Sequence, residues 1–186
     1  MPEKHTIDPR RPSRPNRLED YWRERFDQSA ALADDAARNI GRSYGHAVRR
    51  AVFLELIERH LPAGARSVLD IGCGSGTYFD IYDKLGLEIH GLDFSAAQLE
   101  QAQRRHPHAH LIRGELADAP PELRADLIVC IGVVQVVTDL EDFIARMAAH
   151  AQPGGRVILS CLNRLSIWPG RLLDPHLRFF SRGEMT

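Results

Sequence analysis

Within VLDIGCGSGTYFD, residues 68–80, an aspartate is followed by glycines at three alternate positions, Gly72, Gly74 and Gly76. Glycine lets a chain turn sharply and lets a ligand reach main-chain N–H groups with no Cβ in the way. At the carboxyl edge of a parallel sheet, such a loop is where nucleotide-like ligands bind. A tight strand-to-helix turn with no ligand is the other reading. The dinucleotide fingerprint G-x-G-x-x-G would need its third glycine where Thr77 stands, and Gly76 comes one residue too early. Asp70, just ahead of the loop, suits a cation better than a phosphate. It could orient the loop, meet the amino end of a ligand, or make a purely structural hydrogen bond. Asp93 follows roughly 20 residues after the loop, the spacing at which an acid at a strand end accepts hydrogen bonds from a vicinal diol. In "DFS" it could instead cap a helix.

These residues need a scaffold. Short runs rich in Val, Ile and Leu recur at 66–72, 87–93, 109–115, 125–132 and 155–162, each a candidate strand. Helical stretches alternate with them, the clearest at 139–151, where Leu140, Phe143, Ile144, Met147 and Ala148 share one face. The alternation predicts an α/β fold: a doubly wound, Rossmann-like, mostly parallel sheet with helices on both faces. Upstream, a helix is expected at 18–37 and another at 46–60. In the second, Val48, Val52 and Leu56 recur every fourth residue with Phe53 and Ile57 beside them, and Pro62 and Gly64 end it. Residues 1–17 carry four prolines and four arginines, which predicts a mobile, solvated tail.

Whole-chain composition narrows the functions. A chain of 186 residues, 44% apolar and 26% charged, is enough for one domain with a real core. A formal net charge of -1 gives no electrostatic reason to expect nucleic acid or an anionic membrane as partner. Three cysteines make no disulfide framework and have no zinc-site spacing, so no metal is expected and the thiols read as reduced. With no apolar run near the roughly 20 residues of a membrane span and no secretion-signal centre at the N-terminus, a cytoplasmic location is expected.

The motifs, taken in order, resemble those of class I S-adenosylmethionine-dependent methyltransferases over roughly residues 45–162. "VLDIGCGSGTYF" is similar to the first motif of that family. "GLDFSAAQLEQAQ" is similar to its second strand, where an acid holds the ribose hydroxyls, a position taken here by Asp93 with Phe94 after it. "GELADAP" is similar to the third-strand turn whose acid meets the adenine amino group, a place taken by Glu115 with Leu116 beside it. "ADLIVCIGVVQVVTDLEDFIARMAAHAQPGGRVILS" is similar to the fourth strand, its helix and the Pro-Gly-Gly turn into the fifth. The resemblance implies S-adenosylmethionine as cofactor, with Asp70, Gly72, Cys73, Gly74, Gly76, Asp93, Phe94, Glu115, Leu116, Ile131 and Tyr44 lining its site. It also implies residues 18–64 as helices covering that site, 65–162 as the cofactor-binding core and 163–186 as a substrate-side segment. Many relatives carry an acid and a histidine after the fourth strand. Here Gln135 and Val136 stand there, so no base is assigned at that spot, and Val133, Val134 and Gln135 are expected to line the cavity.

Methyl transfer needs mainly alignment and the exclusion of water, plus a base where the nucleophile is an acid. His46, Tyr44 and His176 are the candidates for catalytic work, with Asn163–Arg164 also after the fifth strand. Tyr44 could meet the methionine carboxylate or simply pack. Cys73, Cys130 and Cys161 read as buried small hydrophobes rather than reactive thiols. Ser181 and Glu184 form a capping-box pattern at the start of a helix. The family continues through that helix into two further strands, so the resemblance implies that strands six and seven are missing. The fifth strand would then present an open edge for a homodimer mate or partner chain to cover. The expected activity is methyl transfer to O, N or C of a small molecule. The alternatives are a non-catalytic cofactor-binding or scaffolding subunit and, disfavoured by Thr77 and Asp70, a nicotinamide-dependent oxidoreductase.

Overall fold

The structure, a computed structural model, describes residues 43–162. The expected tail at 1–17, the helix at 18–37 and the segment 163–186, with His176, Asn163 and Arg164, lie outside the described residues. The elements run α1 (Ser43–His60), β1 (Ser67–Ile71), α2 (Phe79–Lys84), β2 (Glu88–Asp93), α3 (Ala96–Arg105), β3 (His110–Arg113), a 3-10 turn (Leu116–Asp118), β4 (Ala125–Ile131), a second 3-10 turn (Val134–Val136), α4 (Leu140–Ala149) and β5 (Ala151–Ser160). All four strand pairs are parallel, in the order β3-β2-β1-β4-β5. The order reverses between β1 and β4. In a doubly wound sheet, that switch point opens a crevice outside the carboxyl ends of the strands.

Alternation along the strands builds two cores. Val68, Leu127 and Val129 face Phe53, Ile57, Phe79, Tyr82 and Leu99 on the side of α1, α2 and α3. Leu69, Ile71, Ile128 and Cys130 face Leu116, Val134 and Met147 on the side of α4. A sheet buried on both faces reads as continuous apolar runs, which is why VLDI and DLIVCI carry almost no polar residues.

Two expected faces turn out differently. In α1 the buried residues are Phe53 and Ile57, with Leu56 at their margin, while Val48 and Val52 are exposed. A four-residue spacing advances about 400° around a helix, so Val48, Val52 and Leu56 drift off one face by roughly 40° per step. The aromatic anchor decides the rotation. Phe53 meets Tyr78 edge-on at 4.7 Å and Tyr82 at 6.2 Å. In α4, Met147 is buried and Leu140, Phe143 and Ile144 pack against the second core, but Ala148 is exposed. That helix starts where expected because the Asp139 side chain accepts from the Asp142 N–H at 3.0 Å. β5 begins four residues before the expected position. Its Pro153–Gly154–Gly155 segment is accommodated by a register shift between Ala125↔Ala151 and Leu127↔Arg156. Among the described residues, β5 is an edge of the sheet and Val157 on it is exposed. No described helix is long and apolar enough to cross a membrane.

Candidate functional site

β1 delivers the chain to the crevice and the glycine loop leaves from it. Gly72, Gly74 and Gly76 lie at φ 71, 54 and 75°, the left-handed region that favours glycine. Their surroundings differ. A Cβ on Gly72 would stand 2.2 Å from Val133 Cγ2, so the loops after β1 and β4 touch across the switch point. A Cβ on Gly76 would strike the Phe79 ring at 2.8 Å. At Gly74 the nearest atom would be Gln98 Oε1 at 4.0 Å, so the space beside it is open. Two of the glycines serve packing, and the middle one has room beside it among the described residues.

Replacing Gly72 with Ala is expected to destabilise the protein by about 2 kcal/mol or more, combining left-handed strain of roughly 1–2 kcal/mol with the Val133 clash. Adding Val133→Ala should recover the steric part only. Thermal unfolding of the single and double variants reads both, and additive losses would remove the contact.

The loop does not offer these amides to a ligand, contrary to the expectation from glycine alone. The Gly72 and Cys73 N–H groups donate to the Leu92 carbonyl at 2.7 and 3.1 Å, and the Gly76 N–H to the Cys73 carbonyl at 3.0 Å. The Gly74 N–H donates to Asp93 Oδ2 at 2.8 Å. Asp93 Oδ1 accepts from the Ser95 N–H at 2.9 Å, and Ser95 caps α3. Asp93 therefore ties the loop to the end of β2 and shapes the entry to α3, so the helix-start reading was part of its role. A carboxylate has about four acceptor sites, so two amide donors are compatible with further hydroxyl donors. A pyrophosphate fits poorly here. The Gly72, Cys73, Gly74 and Gly76 amides are engaged, and the Asp80 carboxylate sits in the first turn of α2, where it would repel a phosphate.

Asp70, 2% exposed, is a carboxyl beneath the loop that accepts from the Tyr82 hydroxyl at 3.0 Å. Burial pushes its pKa up to about 7, against the pull of the Tyr82 hydrogen bond and with a further push from the Asp93 charge. Tyr82, 12 residues downstream, was not foreseen as a site residue, and neither was Gly91. A Cβ on Gly91 would meet Phe79, Leu111 and the Cys73 sulfur at 2.7–3.0 Å. The Cys73 side chain is thus buried toward β2, and only its main chain belongs to the loop. Burial raises the Cys73 thiol well above its usual range and pushes Cys130 up to about 12, so neither supplies a thiolate.

The rest of the rim comes from three elements. α1 reaches the loop through Arg50, whose guanidinium donates to the Thr77 carbonyl at 3.2 Å and pairs with Asp80 at 2.5 Å. Tyr44 and His46 fall in the first turn of α1, and their side chains lie outside the described residues. Glu115 shares a reciprocal capping box with Asp118, whose side chain accepts from the Glu115 N–H at 2.8 Å, so its carboxylate is already oriented locally. Leu116 points into the second core. Phe94 and Ile131 are half-buried at the ends of β2 and β4. Val134 is fully buried in the second core, and Val133 packs against that core beside Gly72. Gln135 donates from Nε2 to the Gly132 carbonyl at 2.6 Å, while its buried Oε1 has no hydrogen-bond partner among the described residues. A buried acceptor left unmatched costs about 1–3 kcal/mol. A donor from a bound molecule would relieve it.

Residues 69–157 match the family model of a methyltransferase domain. A Mycolicibacterium smegmatis protein named a probable S-adenosylmethionine-dependent methyltransferase is 32% identical over 131 residues, covering 68% of this chain and 51% of that protein. A ubiquinone biosynthesis O-methyltransferase of Bradyrhizobium sp. is 34% identical over 101 residues, covering 52% of this chain and 40% of its own length. The chain thus spans about half or less of these curated relatives. The crystal structure of a magnesium protoporphyrin IX methyltransferase from Synechocystis PCC 6803 shares the fold, with a TM-score of 0.63 at 16% identity over 98% of this chain and 85% of that one.

Proposed function

We propose that this chain, which belongs to the class I S-adenosylmethionine-dependent methyltransferases, binds S-adenosylmethionine at the carboxyl edge of β1 and β2 and directs its methyl group to a small-molecule acceptor. The observation that carries the reading is the Gly74–Asp93 bond, which sets a carboxylate beside a glycine whose Cβ position no described atom approaches closer than 4.0 Å. The residues fit a cationic nucleoside. Two carboxyls, Asp70 and Asp93, stand where positive charge would gather, and Gln135 Oε1 is an acceptor in want of a donor.

When bound, the cofactor supplies an activated methyl group. Asp93 would hold the ribose diol, Glu115 the adenine amino group, and Asp70 would set the local field. α1, drawn onto the loop by Arg50, excludes water from that side. Transfer then depends on aligning the acceptor in line, which contributes through positioning rather than a dedicated base. The acceptor is a phenol, amine or activated carbon of a small molecule, a class supported by the ubiquinone O-methyltransferase relative. The near-neutral chain and the absence of a base at Gln135–Val136 suit an acceptor that is readily ionised.

Calorimetry with S-adenosylmethionine, S-adenosylhomocysteine and NAD tests the site: binding of the first two and not the third is expected, and NAD binding alone would overturn it. Transfer of a labelled methyl to a panel of phenols, amines and quinone precursors tests the activity. Gln135→Leu should leave the apo melting temperature nearly unchanged, because the lost Gly132 bond is offset by removing the orphaned oxygen. It should weaken cofactor binding or turnover roughly tenfold, the equivalent of one hydrogen bond. Wild-type binding and turnover in this variant would exclude Gln135 from the site.

A further inference from the structure

The opposite edge of the sheet carries a second constellation. Asp83 lies near the end of α2, just ahead of β2, and His106 and His108 lie between α3 and β3, so all three cluster at the amino ends of the strands. His106 Nδ1 stands 2.9 Å from Asp83 Oδ2 and His108 Nε2 stands 2.6 Å from Asp83 Oδ1. The three donor atoms lie within 4.8 Å of one another. We propose that Asp83, His106 and His108 form a binding site for a divalent transition-metal ion of the zinc type, separate from the glycine loop.

The donor set selects the ion. Two imidazoles with one carboxylate suit Zn²⁺, Co²⁺ or Ni²⁺, whereas Mg²⁺ and Ca²⁺ demand oxygen ligands. Three protein ligands at about 2.0–2.2 Å leave a fourth tetrahedral position for water. At those bond lengths the donors stand roughly 3.3–3.4 Å apart, so each His–Asp pair needs to open by less than about 1 Å. The ion would bind the carboxylate and one nitrogen of each neutral ring, with no redox change.

The ligands are held ready by contacts unrelated to one another. The His106 ring meets the fully buried Phe79 edge-on at 5.4 Å and an interplanar angle of 73°. Its main-chain N–H closes α3 on the Ala102 carbonyl at 2.8 Å. Pro107 stiffens the link to His108, with its carbonyl held by Gln103 Nε2 at 2.9 Å, and the Ala109 N–H returns to the His106 carbonyl at 3.0 Å. Asp83 comes from a different helix. A bound ion would therefore clip α2 to the α3–β3 connection and, by binding the folded chain alone, stabilise it. A neighbouring trio, Glu88 with His90 and His110, has its Glu Oε1 at 3.3 and 3.5 Å from the two ring nitrogens, with the rings stacked at 5.1 Å. It provides an internal control.

The test uses the full 186-residue chain without a histidine tag. Calorimetric titration with Zn²⁺ should show one equivalent bound, and Co²⁺ should develop visible ligand-field absorption of a tetrahedral site. At free Zn²⁺ a hundredfold over Kd, the melting temperature should rise by roughly 5–10 °C. His108→Gln, at a side chain 57% exposed and so safe for folding, and Asp83→Asn should each weaken binding by at least about tenfold. His110→Gln should leave it unchanged. Wild-type affinity in His108→Gln and Asp83→Asn, loss of binding in His110→Gln, an equal shift with Mg²⁺, or no Zn²⁺ binding at all would each overturn the proposal.

Discussion

Asp93→Ala is expected to weaken S-adenosylmethionine binding by roughly 10- to 150-fold, the equivalent of 1.5–3 kcal/mol for hydrogen bonds to a charged group. The substitution removes two things. One is the acceptor proposed for a ribose diol, and the other is the strut that holds the Gly74 and Ser95 amides at 2.8 and 2.9 Å. A loss of affinity alone would not separate them, because a loosened loop also binds poorly. A double-mutant cycle on the ligand does. A 2′-deoxy analogue of the cofactor should bind the wild-type protein several-fold more weakly than the parent compound. It should bind the Asp93→Ala protein no more weakly than the parent does, since the partner of the missing hydroxyl is already gone. If the analogue keeps its full penalty in the variant, Asp93 acts only as a strut. If the parent compound binds the variant as tightly as the wild type, Asp93 has no part in the site.

That division of labour marks what the sequence could and could not reveal. The strands were legible because buried parallel strands write themselves as runs of Val, Ile and Leu. β1, β2 and β4 fall within a residue of their expected bounds, while β3 is shorter than 109–115 at both ends. The glycine loop and its two acids were legible from spacing. The neighbours that explain them were not, because contacts across 12 residues (Tyr82 to Asp70) or between the loops after β1 and β4 (Val133 to Gly72) depend on how the sheet is wound. The same holds for α1, where a four-residue repeat of valines pointed to one face and the Phe53 ring fixed another. The Asp83–His106–His108 cluster joins two helices' ends, and no linear spacing announces it. Nor could composition foretell that Gln135 holds one end of its amide on Gly132 and leaves the other unmatched.

Asp70 makes the second large prediction, and its sign is unusual for an acid. In the folded chain its pKa is pushed up to about 7 from a usual 3.8, chiefly by burial. Between those values the native state holds a proton that the unfolded state has released, so the stability of the cofactor-free protein should fall as pH rises from about 4 to about 7 and then level off. The full penalty is of order 4 kcal/mol, from about three pKa units at roughly 1.4 kcal/mol each. Asp70→Asn keeps an acceptor for the Tyr82 hydroxyl and removes the charge, so its apo form should melt higher than the wild type at pH 8, by a margin that narrows as pH falls and closes below about pH 4. The role proposed for the buried acid is electrostatic. A sulfonium nucleoside carries positive charge to the loop, which favours the ionised carboxyl, so S-adenosylmethionine should bind more tightly at pH 8 than at pH 6. S-adenosylhomocysteine, with a neutral sulfur, should show a smaller change. In Asp70→Asn the pH dependence of S-adenosylmethionine affinity should flatten even as the protein becomes more stable. A variant that keeps the wild-type pH profile, or one less stable than wild type at pH 8, would show that Asp70 is not the group whose charge is held back for the ligand.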